Sequence, residues 1–299
     1  MNLPVIVSPM FLVSNPAMVV EASRNGLIGS VPLLNARTRE TCEKWLRDIS
    51  SELISGEPWA VNYISHKTNK RFEEDLELIR EYEPPIVIAS LGHPGRVVEA
   101  VKSYGGKVYA DVATLKHARK SAEAGVDGLI LVCAGAGGHA GKLNPFAFTQ
   151  AVREFWDGTI ILAGAISTGK DVLAAQTMGA DYAYMGTRFI ATAESSAPQE
   201  YKEMLVEAGP EDIIYTDSFS GVHANYLIPS LLKNNIDPAS LKPREDVDLA
   251  HMTDAKAWRD IWSAGHGVTA VKEVQTMADV IGQLKQEYEE ALKGVTQLV

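Results

Sequence analysis

Gly128-Leu129-Ile130-Leu131-Val132 runs directly into Cys133-Ala134-Gly135-Ala136-Gly137-Gly138-His139-Ala140-Gly141. The first five residues have the length and apolar character of a buried strand. The glycines that follow let main chain approach a bound molecule with no Cβ in the way. The single imidazole of this turn, His139, stands where it can be aimed at a ligand. The competing reading is a tight turn whose histidine only bonds its own loop.

The same unit, an apolar run followed by a turn and an amphipathic stretch, recurs on both sides. Between residue 3 and about residue 208 it occurs eight times, with strands expected at Pro4 to Ser8, Leu27 to Val31, Trp59 to Tyr63, Ile86 to Ser90, Lys107 to Asp111, Gly128 to Val132, Ile160 to Ala163 and Tyr182 to Met185. A helix is expected after each, and several starts are readable: Thr38 before Glu40, Thr114 before Leu115, and Ser167-Thr168 before Asp171, where a hydroxyl can satisfy free first-turn amides. Eight βα units predict an α/β protein of the TIM (β/α)8 barrel class. A doubly wound dinucleotide-binding sheet would carry G-x-G-x-x-G after its first strand, where this chain has Ser8-Pro9-Met10-Phe11-Leu12.

After residue 208 the rhythm changes. Residues 209–264, with Pro229, Pro238 and Pro243, are expected to form a mixed, mostly helical insertion or lid over the site, while 1–208 and 265–299 make the barrel and a covering C-terminal helix. That helix is expected from Val271 to Leu292, with Val274, Met277, Ile281, Leu284 and Tyr288 on one face, Gly294 as its stop, and Glu287, Glu289 and Glu290 as a solvated face.

The chain's 299 residues carry a formal charge of -10, which argues against nucleic acid as a partner, and no stretch is long and apolar enough to span a membrane. With two distant cysteines, Cys42 and Cys133, and no signal-like start at Met1-Asn2-Leu3-Pro4, the sequence predicts a cytoplasmic protein without a disulfide. A small-molecule substrate is expected, and a homodimer is admitted rather than required.

A TIM barrel places its site at the C-terminal ends of the strands, often with a phosphate on the seventh and eighth loops. Those loops read Ala163-Gly164-Ala165-Ile166-Ser167-Thr168-Gly169-Lys170 and Tyr184-Met185-Gly186-Thr187-Arg188-Phe189. Gly164 and Gly186 admit close main-chain approach, helix N-termini add a favourable dipole, and Thr187 offers a hydroxyl. The alternative is that these glycines only make turns. Gly164 to Lys170 also matches the opening of a nucleotide-triphosphate loop, but Asp171 stands where Ser or Thr would hold magnesium. The seven histidines are scattered without metal-ligand spacing, so no metal is expected, and there is no G-x-S-x-G elbow. Cys133 reads as a small buried residue at a strand end rather than a nucleophile.

Gly137-Gly138-His139-Ala140-Gly141, Leu162-Ala163-Gly164-Ala165-Ile166 and Met185-Gly186-Thr187-Arg188-Phe189-Ile190-Ala191-Thr192-Ala193-Glu194 together resemble the nitronate monooxygenase family, formerly 2-nitropropane dioxygenases. Ser8-Pro9-Met10, Asn62, Ser220-Gly221 and Gly265-His266-Gly267 extend the likeness over most of the chain. The resemblance implies a barrel that holds FMN non-covalently. Its phosphate would lie at Ala163, Gly164, Ala165, Gly186 and Thr187, its ring near Pro9, Met10 and Asn62, and Gly137 and Gly138 would be further cofactor contacts. His139 would be the catalytic residue on the substrate side, a base toward a nitroalkane or an orienting group toward a nitronate. The implied reaction passes one electron to the flavin and uses dioxygen to give a carbonyl compound and nitrite or nitrate, without nicotinamide. Departures from the family pattern are Val132 and Gly135, where many members carry Gln or Glu, and Ala165 in place of a second glycine.

Phe11, Tyr63 and His223 are candidate substrate-pocket residues, with Tyr226 as a further one, and each has packing as the competing explanation. His66, His93, His117, His251 and His266 carry no chemical context beyond the glycines flanking His266. Two other functions stay open: an NAD(P)H-dependent reductase of the same superfamily acting on enoyl-ACP or quinone, and a non-catalytic binder of flavin or a phosphate ligand.

Overall fold

A computed structural model describes residues 2–54, 56–66, 69–244 and 259–297. The central sheet contains β1 (Val5–Val7), β2 (Gly29–Pro32), β3 (Trp59–Ile64), β4 (Ile86–Ser90), β5 (Lys107–Val112), β6 (Gly128–Val132), β8 (Thr159–Ala163) and β9 (Tyr182–Met185), all parallel. The strand order β1-β9-β8-β6-β5-β4-β3-β2 leaves β1 and β2 at the two ends, and a parallel bridge between Ile6 and Ile28 joins them. Val7 N donates to Ile28 O at 2.9 Å and Ile28 N to Val5 O at 3.0 Å, which closes the barrel. The expected TIM barrel is therefore the fold.

Alternation along the strands separates two cores. Ile6, Ile28, Ala60, Ile88, Ile130 and Ile161 form a cluster that fills the barrel, while the neighbouring residues Val5, Val7, Val61, Val87, Leu129 and Leu162 belong to the larger core packed with the helices. Thr38, Thr114 and Thr168 cap the helices Arg39–Glu52, Leu115–Glu123 and Gly169–Thr177 through their side chains. Caps of this kind contribute about 1 kcal/mol each.

Three local expectations are corrected. The last helix is Met277–Thr296 rather than Val271 to Leu292, because Thr276 caps it together with Asp279, leaving Val274 outside and 37% exposed. Gly294 does not stop it; the helix runs through that position, where a side chain would meet open space. Glu287 is not simply solvated, since it accepts the Gly169 amide at 2.7 Å. Gly169 lies so close to the backbone of the last helix at Leu284 and Tyr288 that no side chain fits there.

A second, three-stranded antiparallel sheet stands beside the barrel strands in the order β10 (Ile213–Thr216), β11 (Ala224–Leu227) and β7 (Gly138–His139). Neither β7 nor its pairing is readable in the sequence, because a two-residue strand has no periodicity. Within 209–264 the described residues add the helix Ile228–Lys233 and two 3-10 turns.

Candidate active site

The sixth loop is held as a rigid piece rather than as a free turn. Ala224 pairs with His139 and Asn225 with Gly138, while Ala140 N donates to His223 O at 3.1 Å and the Tyr215 hydroxyl to Ala140 O at 2.9 Å. Asn225, 1% exposed, donates from Nδ2 to Ala136 O at 2.6 Å. On the other side, His266 N donates to Gly135 O at 2.9 Å, and a Cβ on Gly137 would stand 2.8 Å from Gly265 N. Gly137 is thus required by packing against the 265–267 segment. Gly138 has φ +68° and open space where a side chain would be, so its demand is conformational.

These constraints fix His139 in the wall of a cavity of about 960 Å³ above the strand ends. The imidazole is half-buried, and withdrawal from water lowers its pKa to about 4. At neutral pH it is uncharged. It can donate from one nitrogen and accept at the other.

Beside it, the seventh and eighth loops form the second part of the wall through Ala163, Gly164, Ala165, Gly186 and Thr187. Gly164 has φ +130°, and a Cβ there would lie 2.8 Å from Ala134 O, so glycine is obligatory. A Cβ on Gly186 would meet only Met10 Sδ at 3.4 Å and Ser8 Cβ at 3.5 Å, ordinary contacts. The fold itself therefore tolerates alanine at 186, and what a methyl would take is cavity space. Thr187 accepts the Gly265 amide at 2.9 Å through Oγ1, which leaves its hydroxyl proton to donate elsewhere. Ala165 adopts φ +55°, a left-handed conformation that glycine would take without cost.

One expectation about this wall is revised. The N-terminus of the Gly169–Thr177 helix does not point free amides at the cavity. Asp171 Oδ2 accepts from Ser167 N at 3.0 Å and Thr168 N at 2.9 Å, Thr168 caps in return, and Glu287 takes Gly169 N. This capping box also explains the acid at position 171. An anion here is left to the amides of the glycine turns and to Thr187.

Facing these loops, Pro9, Met10 and Phe11 line the cavity, with Asn35 Nδ2 donating to Met10 O at 3.0 Å and Arg37 stacked 5.4 Å over the Phe11 ring. The floor is polar. Asn62 donates from Nδ2 to Ile88 O at 3.2 Å and to Ser90 Oγ at 2.6 Å, and Ser90 in turn donates to Asp111 Oδ2. Asp111 and Tyr184 also line the cavity, and burial pushes the Asp111 carboxyl up to about 6.

Not every expected residue is there. Tyr63 is not a wall residue: it is 1% exposed, donates to Phe72 O at 3.0 Å and packs against the Phe72 ring. Its position on β3 gives it the opposite face from Asn62. His223 is also outside the walls, stacked on Tyr215 at 4.8 Å and 3.7 Å from Asp217, and its neighbour Val222 lines the cavity instead. Tyr226 is fully buried against Phe219. His66, His93 and His117 do reach the cavity wall, whereas His251 lies outside the described residues. Cys133 is fully buried with its thiol pushed up to about 12, as fits an inert side chain, and Cys42 is likewise buried and free. Asp111, Ser90 and Tyr184 escaped the sequence reading, although their alternation with apolar neighbours at strand ends was the available signal.

The cavity, the glycine cradle with a spare hydroxyl proton, and buried polar atoms on the floor suit a flat heterocycle carrying a phosphate. The family model described as nitronate monooxygenase matches residues 38–287. A nitronate monooxygenase of Paraburkholderia phytofirmans is 24% identical, over 98% of this chain and 94% of that protein. Among solved structures, FabK from Thermotoga maritima superimposes with a TM-score of 0.84 at 23% identity, covering 100% of this chain and 96% of that one. A nitroalkane oxidase from Streptomyces ansochromogenes does so with a TM-score of 0.82 at 22% identity, covering 98% and 97%. These two likenesses are of fold. Among the described residues, no helix is long and apolar enough to cross a membrane.

Proposed function

The chain belongs to the nitronate monooxygenase family of flavin-dependent oxidoreductases, and we propose that it holds FMN in the cavity and oxidises alkyl nitronates with dioxygen to carbonyl compounds and nitrite or nitrate. The observation that carries this reading is the position of His139, fixed by its strand pairing with Ala224 in the same cavity wall as the Gly186-Thr187 turn.

The flavin, when bound, supplies the electron acceptor and the reaction with dioxygen. Thr187 Oγ1 and the amides of the Gly164 and Gly186 turns would hold its phosphate, and Asn62, Met10 and Pro9 would border its ring. His139 does the remaining work. An imidazole with its pKa near 4 is a weak base at neutral pH, so carbon deprotonation of a nitroalkane is poorly served. A nitronate has already lost that proton. Toward it the neutral imidazole donates a hydrogen bond to a nitro oxygen, and the negative charge drawn into the cavity raises the imidazole's proton affinity as it binds. The apolar residues Phe11, Val132 and Ile261 of the same cavity lining lessen the competition of bulk water for that bond.

The test uses the purified flavin-loaded protein in two anaerobic cuvettes. Propionate 3-nitronate is expected to bleach the flavin absorbance, and NADPH is not. Bleaching by NADPH alone transfers the assignment to an enoyl or quinone reductase, and bleaching by neither leaves a binding protein.

A further inference from the structure

Two polar atoms in the cavity floor have no hydrogen-bond partner: Asp111 Oδ1 on β5 and the Tyr184 hydroxyl on β9, both buried. Ser263 Oγ, in the same lining but outside the barrel strands, is also unpaired. Leaving such a group unpaired costs about 1–3 kcal/mol, so a barrel that retains two of them on strands lining one cavity is prepared for something that pairs them. The rest of the floor is arranged to hold the carboxyl still. Its other oxygen, Oδ2, takes the Ser90 hydroxyl, and Asn62 fixes Ser90 by donating to its Oγ at 2.6 Å and to Ile88 O at 3.2 Å. Three successive strand ends, β3, β4 and β5, thus spend their top side chains on presenting Oδ1. Ile64 and Val112 on the same strands, and Leu91 just after β4, are apolar and supply no competing partner.

We propose that Asp111, with Tyr184, is a flavin-contacting pair that meets the heteroatom edge of the ring, and that the proton on Asp111 sets the redox potential of the bound cofactor. This rests on the reading of the cavity as an FMN site. With its proton, Asp111 donates to the ring and stabilises the negative charge that reduction places there; without it, a carboxylate beside the ring opposes reduction. Burial already pushes the carboxyl up to about 6, inside the range where the change of state is accessible. Two electrons and one proton convert oxidised FMN to its anionic reduced form. Where Asp111 starts ionised, a second proton from solvent passes to Oδ1 in the same reduction.

The titratable and charged groups among the described residues lining this cavity are Tyr184 on β9, His139 on β7, His66 after β3, His93 after β4, His117 and Lys120 on the Leu115–Glu123 helix, Tyr201 on the Gln199–Glu207 helix, and Arg259. β6, whose Ile130 pairs with Asp111, contributes the apolar Val132 to the lining. Asp111 is the one carboxylate among these lining residues, so a pH response of the potential that requires an acid is attributable to it.

The experiment measures the midpoint potential of FMN on the reconstituted protein from pH 5 to 8, by stepwise dithionite reduction against reference dyes, with FMN affinity from fluorescence. The unsubstituted protein is expected to show an added slope of about 30 mV per pH unit over the range where Asp111 titrates, the value of one extra proton in a two-electron couple. Asp111→Asn, nearly isosteric, is expected to lose that segment and to hold a higher potential than the unsubstituted protein at pH 8. Tyr184→Phe is expected to bind FMN about fivefold more weakly, the loss of one hydrogen bond. Superimposable potential curves for the unsubstituted protein and Asp111→Asn, or an unchanged FMN affinity in Tyr184→Phe, would overturn the proposal while leaving the FMN site standing. Failure of the unsubstituted protein to bind FMN would overturn the reading of the cavity itself.

Discussion

The two sides of the barrel mouth are built on different principles. On the side of β6, β8 and β9, the chain works mainly with backbone: glycines at 135, 137, 138, 164 and 186 shape turns, and recognition is left to amides, the Thr187 and Tyr184 hydroxyls and one imidazole. On the side of β3, β4 and β5, ordinary strands end in single polar side chains, Asn62, Ser90 and Asp111, linked into one hydrogen-bonded chain. The lesson is that a site can be half scaffold and half chemistry. The backbone side admits no side chain at Gly137 or Gly164, whereas the side-chain side can be retuned one residue at a time.

Substitutions on each side separate these roles. The largest expected effect belongs to His139→Ala, which should lower nitronate oxidation about 10²-fold or more while FMN binding and the melting temperature stay put. Steady-state oxygen uptake with propionate 3-nitronate checks it. Next come the two cradle glycines, which should fail in opposite ways. Gly164→Ala forces a Cβ to 2.8 Å from Ala134 O at φ +130° and should cost about 2–3 kcal/mol in urea unfolding. Gly186→Ala meets only ordinary contacts, so stability should hold while FMN affinity falls about tenfold. Equal behaviour of the pair would erase the distinction between scaffold and ligand glycines.

Acid and base sensitivity of the flavin-free protein should also split between the two sides. Burial lowers the His139 pKa from its ordinary 6.5 to about 4, so its contribution is present above pH 6.5 and is lost as pH falls through 4. Asp111 moves from 3.8 to about 6, so its contribution is present below pH 3.8 and is lost as pH rises through 6. Urea unfolding at a series of pH values should show His139→Gln flattening the acid limb and Asp111→Asn removing the loss near pH 6, each on the order of 2 kcal/mol. The smallest effect is expected at Ala165→Gly. Relief of φ +55° is offset in part by the freer unfolded chain, and a gain of about 0.5 kcal/mol should appear as a melting temperature 1–2 °C higher, where ~1 kcal/mol corresponds to 2–4 °C.

The backbone side was legible in the sequence because glycine density is a local signal: a turn that needs positive φ or close approach must spell it out in consecutive residues. The eight strands were legible for the same kind of reason, since short runs rich in apolar residues, three to six residues long as strands, repeat at βα spacing. The floor was not. Asp111 and Tyr184 are single letters within Lys107–Val112 and Tyr182–Met185, and only closure of the barrel brings β5 and β9 to one cavity. The support for His139 was hidden likewise, because β11 lies far along the chain and pairs with a two-residue strand. Tyr63 and His223 misled for the converse reason. A residue next to the right one in sequence points to the other face of a strand, as Tyr63 does beside Asn62.

A crystal structure of the protein soaked with FMN and a nitronate tests the central claim most directly. The account predicts the phosphate between the Gly164-Ala165 and Gly186-Thr187 turns, within hydrogen-bonding distance of Thr187 Oγ1, and the nitronate between the ring and the His139 imidazole. A phosphate held anywhere else, or a nitronate out of reach of His139, would contradict it.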